Sequence, residues 1–369
     1  MNKKKISFFV FLPLAALLSA CSFGGSSATS VGPSLGGIFF SSDGGVSFRQ
    51  QSAVPSISGT PGSINALSIK TLAADPSDDK AVYLGTYDQG LYQTYNIADG
   101  WNKVSSFPNV TVNNIAVNPK NKCDIYATFA NRLYRSVDCS RTWKQIYMDA
   151  SQEAVFSAMV MDFYNPSNIY LGNSRGDILK SIDGGTSWRV IKRLDSEITK
   201  LVLHPEDSRQ IFVATKNAQI FSFISNTKTN PNNSADIEAN FALDNWTDLN
   251  AVLKDLEIGV NFIDLIISPS DNSLFLATDK VIARSPDKGI SWQKLNLLPS
   301  EKDGIIRAVA VSPKNAKQIY YATNLTVARS VDGGATWSNK KLPTSQVTSV
   351  ILIDQNNPNN IYLGVKDAK

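Results

Sequence analysis

Short apolar runs recur along the chain, and turn residues break every one of them. In the clearest pattern an alternating run meets a polar residue and a proline, and a second β-rich run follows a few positions later. The copies are LAADPSDDKAVYLGT, IAVNPKNKCDIYAT, MDFYNPSNIYLG, LVLHPEDSRQIFVAT, LIISPSDNSLFLAT, VAVSPKNAKQIYYAT and ILIDQNNPNNIYLG. Alternation with period two marks strands with one face buried, and the intervening Pro, Asn, Asp and Gly mark turns. A third short run comes next, seen as GLYQT, RLYRS, DILKS, QIFSF and VIARS. Helical periodicity is weak throughout, and only 249–258 (LNAVLKDLEI) suggests a helical turn.

An octapeptide closes each period: SSDGGVSF (41–48), SVDCSRTW (136–143), SIDGGTSW (181–188), SPDKGISW (285–292) and SVDGGATW (330–337). All six tryptophans end such a copy or a degenerate equivalent, at Trp101, Trp143, Trp188, Trp246, Trp292 and Trp337, and Phe48 takes the seventh place. Each period therefore predicts four short strands. Strand A runs up to the proline turn, B follows it, C precedes the octapeptide, and D follows the tryptophan. Four strands in roughly 45 residues, repeated, predict an all-β propeller of four-stranded antiparallel blades. Residues 346–369 hold only A and B, and 37–52 hold only C, the octapeptide and D. Joining the two ends makes one shared blade, so the expected fold is a seven-bladed propeller over 36–369 with no unpaired edge at the closure.

The motif S-x-D-G-G-x-[ST]-W resembles the Asp-box, or bacterial neuraminidase repeat. That repeat occurs in sialidases, sortilin-type receptors, xyloglucan-active glycosidases and the photosystem II assembly factor family. The resemblance covers nearly all of 36–369 and implies the propeller fold, while saying little about function.

A turn chemistry accounts for the motif without a ligand. Ser41, Ser136, Ser181, Ser285 and Ser330 open the boxes, and Asp43, Asp138, Asp183, Asp287 and Asp332 supply carboxylates that can accept hydrogen bonds from their own turns. Gly45, Gly185, Gly289 and Gly334 allow positive φ. Phe48, Trp143, Trp188, Trp292 and Trp337 each bring a large ring to bury between sheets, worth about 2–3 kcal/mol. His204, the single histidine, precedes a proline where the other repeats carry turn-capping residues, and is read as a turn residue. No zinc cluster, Walker loop, Rossmann fingerprint or G-x-S-x-G is present, so neither metal nor cofactor is expected. A sialidase-like site would need an arginine cluster and an F/Y-R-I-P motif, and neither is found. No catalytic residue is assigned.

Binding is expected on the B–C and D–A loops, which vary more than the box turns. Asp88, Arg132, Arg175, Asp177, Lys216, Asp279 and Lys280 are the candidates there. A rival is the polar insertion 225–245 on the opposite face. Cys123 opens strand B of the third unit, and Cys139 replaces the first box glycine of the same unit. Antiparallel pairing of B with C brings them together, and a disulfide is expected.

The first residues change the picture of charge and location. MNKKK precedes ISFFVFLPLAALLSA and then Cys21. A basic start and an apolar run read as a secretory leader over 1–20. Leu18-Ser19-Ala20-Cys21 resembles a lipobox, which implies that Cys21 carries lipid. Residues 21–35 then form a Gly/Ser-rich tether. Setting aside Lys3, Lys4 and Lys5 leaves 33 Lys and Arg against 32 Asp and Glu. That balance argues against nucleic acid, which needs a basic stripe. The expectation is an exported lipoprotein of the cell or outer membrane, monomeric, acting as a non-catalytic protein-binding scaffold or assembly factor. The alternative is a glycan-binding or glycan-cleaving propeller.

Overall fold

Every innermost strand touches the next around a closed ring, and the last returns to the first. In a computed structural model, residues 35–56, 59–97, 99–225, 241, 243–298, 304–324 and 326–368 are described. The leader 1–20, Cys21 with its tether up to residue 34, and 226–240 of the insertion lie outside the described residues. The chain forms seven four-stranded antiparallel sheets, with one additional two-stranded pair between 53 and 63.

Blade 3 shows the plan. Its strands are Asn114–Asn118, Asn121–Phe129, Arg132–Ser136 and Lys144–Met148, hydrogen-bonded in that order. Strand B is buried on both faces, which is why it reads as a continuous apolar run rather than an alternating one. Strand D is the outer edge and is largely exposed; in blade 7 it is Ser338–Lys341, short and lysine-bearing, a composition that discourages edge pairing. The candidate helical turn is present as a single turn, Asn250–Lys254.

The closure is as the repeat requires. Val347–Ile353 and Ile361–Lys366 supply strands A and B of blade 1, and Ile38–Ser41 and Arg49–Gln50 supply C and D. Ile38 pairs with Gly364 and Ser41 with Ile361.

The core is distributed between the blades. Seven clusters of buried residues occupy the seven inter-blade junctions; one, for instance, joins Phe39, Ile361 and Leu363 of blade 1 to Tyr320 and Val327 of blade 7. At two of these junctions the tyrosine of the IY dipeptide fastens the blades together. Tyr126 donates its hydroxyl to Gly184 O at 3.1 Å and Tyr320 donates to Gly44 O at 2.7 Å, each reaching the box of the next blade.

Candidate functional site

The five boxes share one hydrogen-bond circuit. The serine hydroxyl donates to the aspartate at 2.7–2.9 Å and accepts from the backbone N–H four residues on at 2.8–2.9 Å. The aspartate accepts the N–H of the Ser or Thr before the aromatic at 2.8–3.0 Å and that residue's hydroxyl at 2.5 Å. Both carboxylate oxygens are thus used inside the turn. Gly333 and Gly334 hold φ of 80° and 90°, as a turn of this hand requires. The closing aromatics pack at the junction with the preceding blade: Trp143 lies 5.1 Å from Phe107, and Trp188 lies 5.4 Å from Tyr147. Trp101, which ends a degenerate copy, is fully buried and donates to Gln51 O at 2.8 Å.

Hydrogen bonds to the charged form lower a carboxylate's pKa. The hydroxyls of Ser47, Thr142 and Thr336, followed by their backbone N–H groups, hold Asp43, Asp138 and Asp332 at about 2, below the ordinary 3.8. A folded-state value below the unfolded one gives stability that is present above pH about 4 and is lost as pH falls towards 2. The melting-temperature deficit of Asp332→Asn should therefore be full at pH 5 and shrink towards pH 2. A deficit independent of pH in thermal melts would contradict this assignment.

The proline turns are capped in the same local manner. Asp75, Asn118 and Ser268 each accept the N–H two residues on. His204 does so through Nδ1 from Glu206 N at 3.2 Å, and burial lowers its pKa from the ordinary value. In blades 4 and 1 the cap is Asp162 and Asp354, placed before a longer turn, and Asn165 and Asn357 sit further along it. Asn165 and Asn357, just before the prolines, each also accept the N–H two residues on, at 3.3 Å.

Cys123 and Cys139 meet across strands B and C, with their Cα atoms 3.8 Å apart and their sulfurs joined. Cys139 N donates to Cys123 O, the position at which Gly184 N donates to Ser167 O and Gly333 N to Lys317 O. The disulfide thus reinforces a hydrogen bond that other blades make alone.

The seven candidate binding residues are dispersed. Asp177 is buried, bonded to Arg193 and to Asn173 Nδ2 at 3.1 Å. Arg175 holds Ser151 at 2.7 Å, Lys216 pairs with Glu197 at 3.3 Å, and Arg132 lies over the Phe129 ring. Asp279 accepts from Asn261 at 2.8 Å, with Lys280 beside it in the same loop. Asp88 lines a depression of about 350 Å³ with Tyr87 and Lys366. No hydrogen bond or ion pair joins any two of these seven among the described residues.

The larger depression, about 550 Å³, opens at the ring axis on the opposite face. Pro76, Pro119, Pro205 and Pro269 of the A–B turns border it. Met159, Met161, Phe163, Leu203, Ile267 and Leu352 line it, and Gln355 is the one polar residue lining it among the described residues. The exposed ring of Tyr164 is tilted against that of Phe163, which lines the depression, at 4.7 Å. An uncharged, methionine-bearing concavity suits apolar side chains of varied shape. Its lining was present in the sequence as residues at or near the end of strand A in six of the seven blades. Only ring closure gathers residues from blades so far apart in the chain.

No protein-family profile matches the chain, and no curated protein matches it. Solved structures do. The GH74 xyloglucanase of Xanthomonas campestris superposes with a TM-score of 0.61 at 14% identity, over 81% of this chain and 51% of that one. A GH74 enzyme of Niastella koreensis gives 0.58 at 15%, again over 81% and 51%. The chain thus spans about half the length of these two proteins. YCF48, solved bound to a D1 peptide, gives 0.58 at 13%, over 82% of this chain and 94% of that one. Likeness at such identity shows architecture alone, and the chain is a seven-bladed β-propeller whose structural neighbours include both enzymes and a peptide-bound protein.

Proposed function

We propose that the chain is an exported lipoprotein, tethered through Cys21, whose propeller binds protein and performs no catalysis. The observation that carries this reading is the uncharged depression at the axis. Proteins seldom leave such a surface open without a partner, and this one offers no carboxylate pair of the kind that hydrolyses a glycosidic bond. Peptide binding by the structural neighbour YCF48 supports the same reading, and the lipobox-like Leu18–Cys21 supports the tether.

The test is chemical crosslinking in membranes followed by affinity capture. Wild type should recover a defined protein, Tyr164→Glu should lose it, and charge reversal at Arg132, Arg175 and Lys216 should not. Cys21→Ser should shift the protein out of the membrane fraction. Turnover of xyloglucan or another glycan by the purified protein, lost in Asp177→Asn or Asp279→Asn, would replace this reading with the glycosidase one.

A further inference from the structure

Blade 7 is rich in cations and poor in acids. Between residues 313 and 341 the cations are Lys314, Lys317, Arg329, Lys340 and Lys341, and the only acid is Asp332. Asp332 is consumed by its own box turn. No carboxylate lies within ion-pair distance of any of these five cations among the described residues, whereas ion pairs occur in other blades.

The internal repeat shows what is missing. An arginine immediately before the box serine occurs three times, at Arg135, Arg284 and Arg329. Arg135 is held by Asp124 at 2.6 and 3.1 Å. Arg284 is held by Asp271 at 2.5 Å and by Ser273. Arg329 occupies the same register as Arg135, each paired with the tyrosine of strand B. Yet Gln318 stands where blade 3 has Asp124, and its amide donates instead to Tyr320 Oη at 2.5 Å. Arg329 Nε is buried and has no hydrogen-bond partner among the described residues. Arg329 and Gln318 both flank Gly44 of blade 1, as Arg135 flanks Gly184 of blade 4, so the unpaired guanidinium lies at the junction of blades 7 and 1. Lys340 shares its face of the sheet, since Val327 pairs with Lys340 and Arg329 with Ser338.

We propose that the groove between blades 7 and 1 takes side-chain carboxylates of an acidic protein segment, with Arg329 as the bidentate anchor and Lys340 flanking it. The carboxylate is chosen because this chain twice satisfies the same arginine position with aspartate, and a guanidinium fork matches that planar group. The inference rests on the protein-binding reading and adds to it the charge of the partner.

The test uses the full chain in detergent at about 0.15 M salt, where long-range steering is screened, with a fluorescein-labelled hexaglutamate peptide read by anisotropy. Gln318→Glu, which supplies an internal counter-ion, and Arg329→Gln should each weaken binding about tenfold, the equivalent of losing one charged hydrogen-bonded contact. Asp124→Asn, which frees Arg135 in blade 3, should not weaken it. Gln318→Glu should also melt no lower than wild type, which separates loss of the site from loss of the fold. Binding unaltered by either blade 7 variant would overturn the proposal. So would binding of phosphatidylglycerol vesicles that depends on Arg329 while hexaglutamate does not bind. If blade 7 proves irrelevant but Tyr164-dependent capture from membranes persists, this inference alone fails. If capture fails, the peptide titration still reads the groove.

Discussion

A chain ending at Ser345 should not fold. It would lack strands A and B of blade 1, leaving Ile38–Ser41 without the partner it pairs with from Ile361 to Gly364. It would also uncover the junctions on both sides. Ile361, Leu363 and Val365 pack towards blade 7, and Tyr362 packs with Phe40 towards blade 2. Each such side chain contributes about 1.5–3 kcal/mol on burial. Losing these together with Ile351 and Ile353 removes about 10 kcal/mol, comparable to the whole stability of an ordinary domain. Two open sheet edges would then favour aggregation. The expected outcome is an insoluble product, or a soluble one without a cooperative thermal transition. A truncated chain melting like wild type would show that the ends do not build one blade.

Breaking the cysteine pair should have the second-largest effect. The bond spans 16 residues, which the chain-entropy account values at about 3 kcal/mol. For a domain of this size, that corresponds to a fall in Tm of about 4 °C in Cys123→Ser. Cys139 adds a second term. Its φ is 59°, and Gly44, Gly184 and Gly333 occupy the equivalent left-handed position in other boxes. Cys139→Gly removes the bond and also relieves about 1 kcal/mol of backbone strain, so it should melt higher than Cys123→Ser. Alkylation of the unreduced protein followed by mass spectrometry checks the bond itself. Two free thiols, or equal Tm in wild type and Cys123→Ser, would contradict it.

Local rules made the fold readable. Period-two alternation, proline turns and the box recur in register, so strand number, blade number and shared closure follow from spacing alone. The hydroxyl–carboxylate circuit of the box was foreseeable because every partner lies within six residues. What escaped depends on distance in the chain. The axial depression collects Pro76, Met161, Leu203 and Leu352 from four blades, and no local pattern announces that they converge. The contacts of the loop charges were likewise not legible in sequence: Asp177, Arg175 and Lys216 meet Arg193, Ser151 and Glu197. Arg329 shows the reverse case. In sequence it looks like Arg135, and only the register that sets Gln318 in place of Asp124 reveals a missing counter-ion.

The most direct measurement of the central claim is photocrosslinking in the native membrane from single positions on the two faces. A photoreactive residue at Tyr164, beside the axial depression, should capture a discrete protein partner, and one at Lys216 on the opposite face should capture none. Capture from Lys216 alone would place recognition on the B–C and D–A loops, and capture from neither position would contradict a protein-binding propeller.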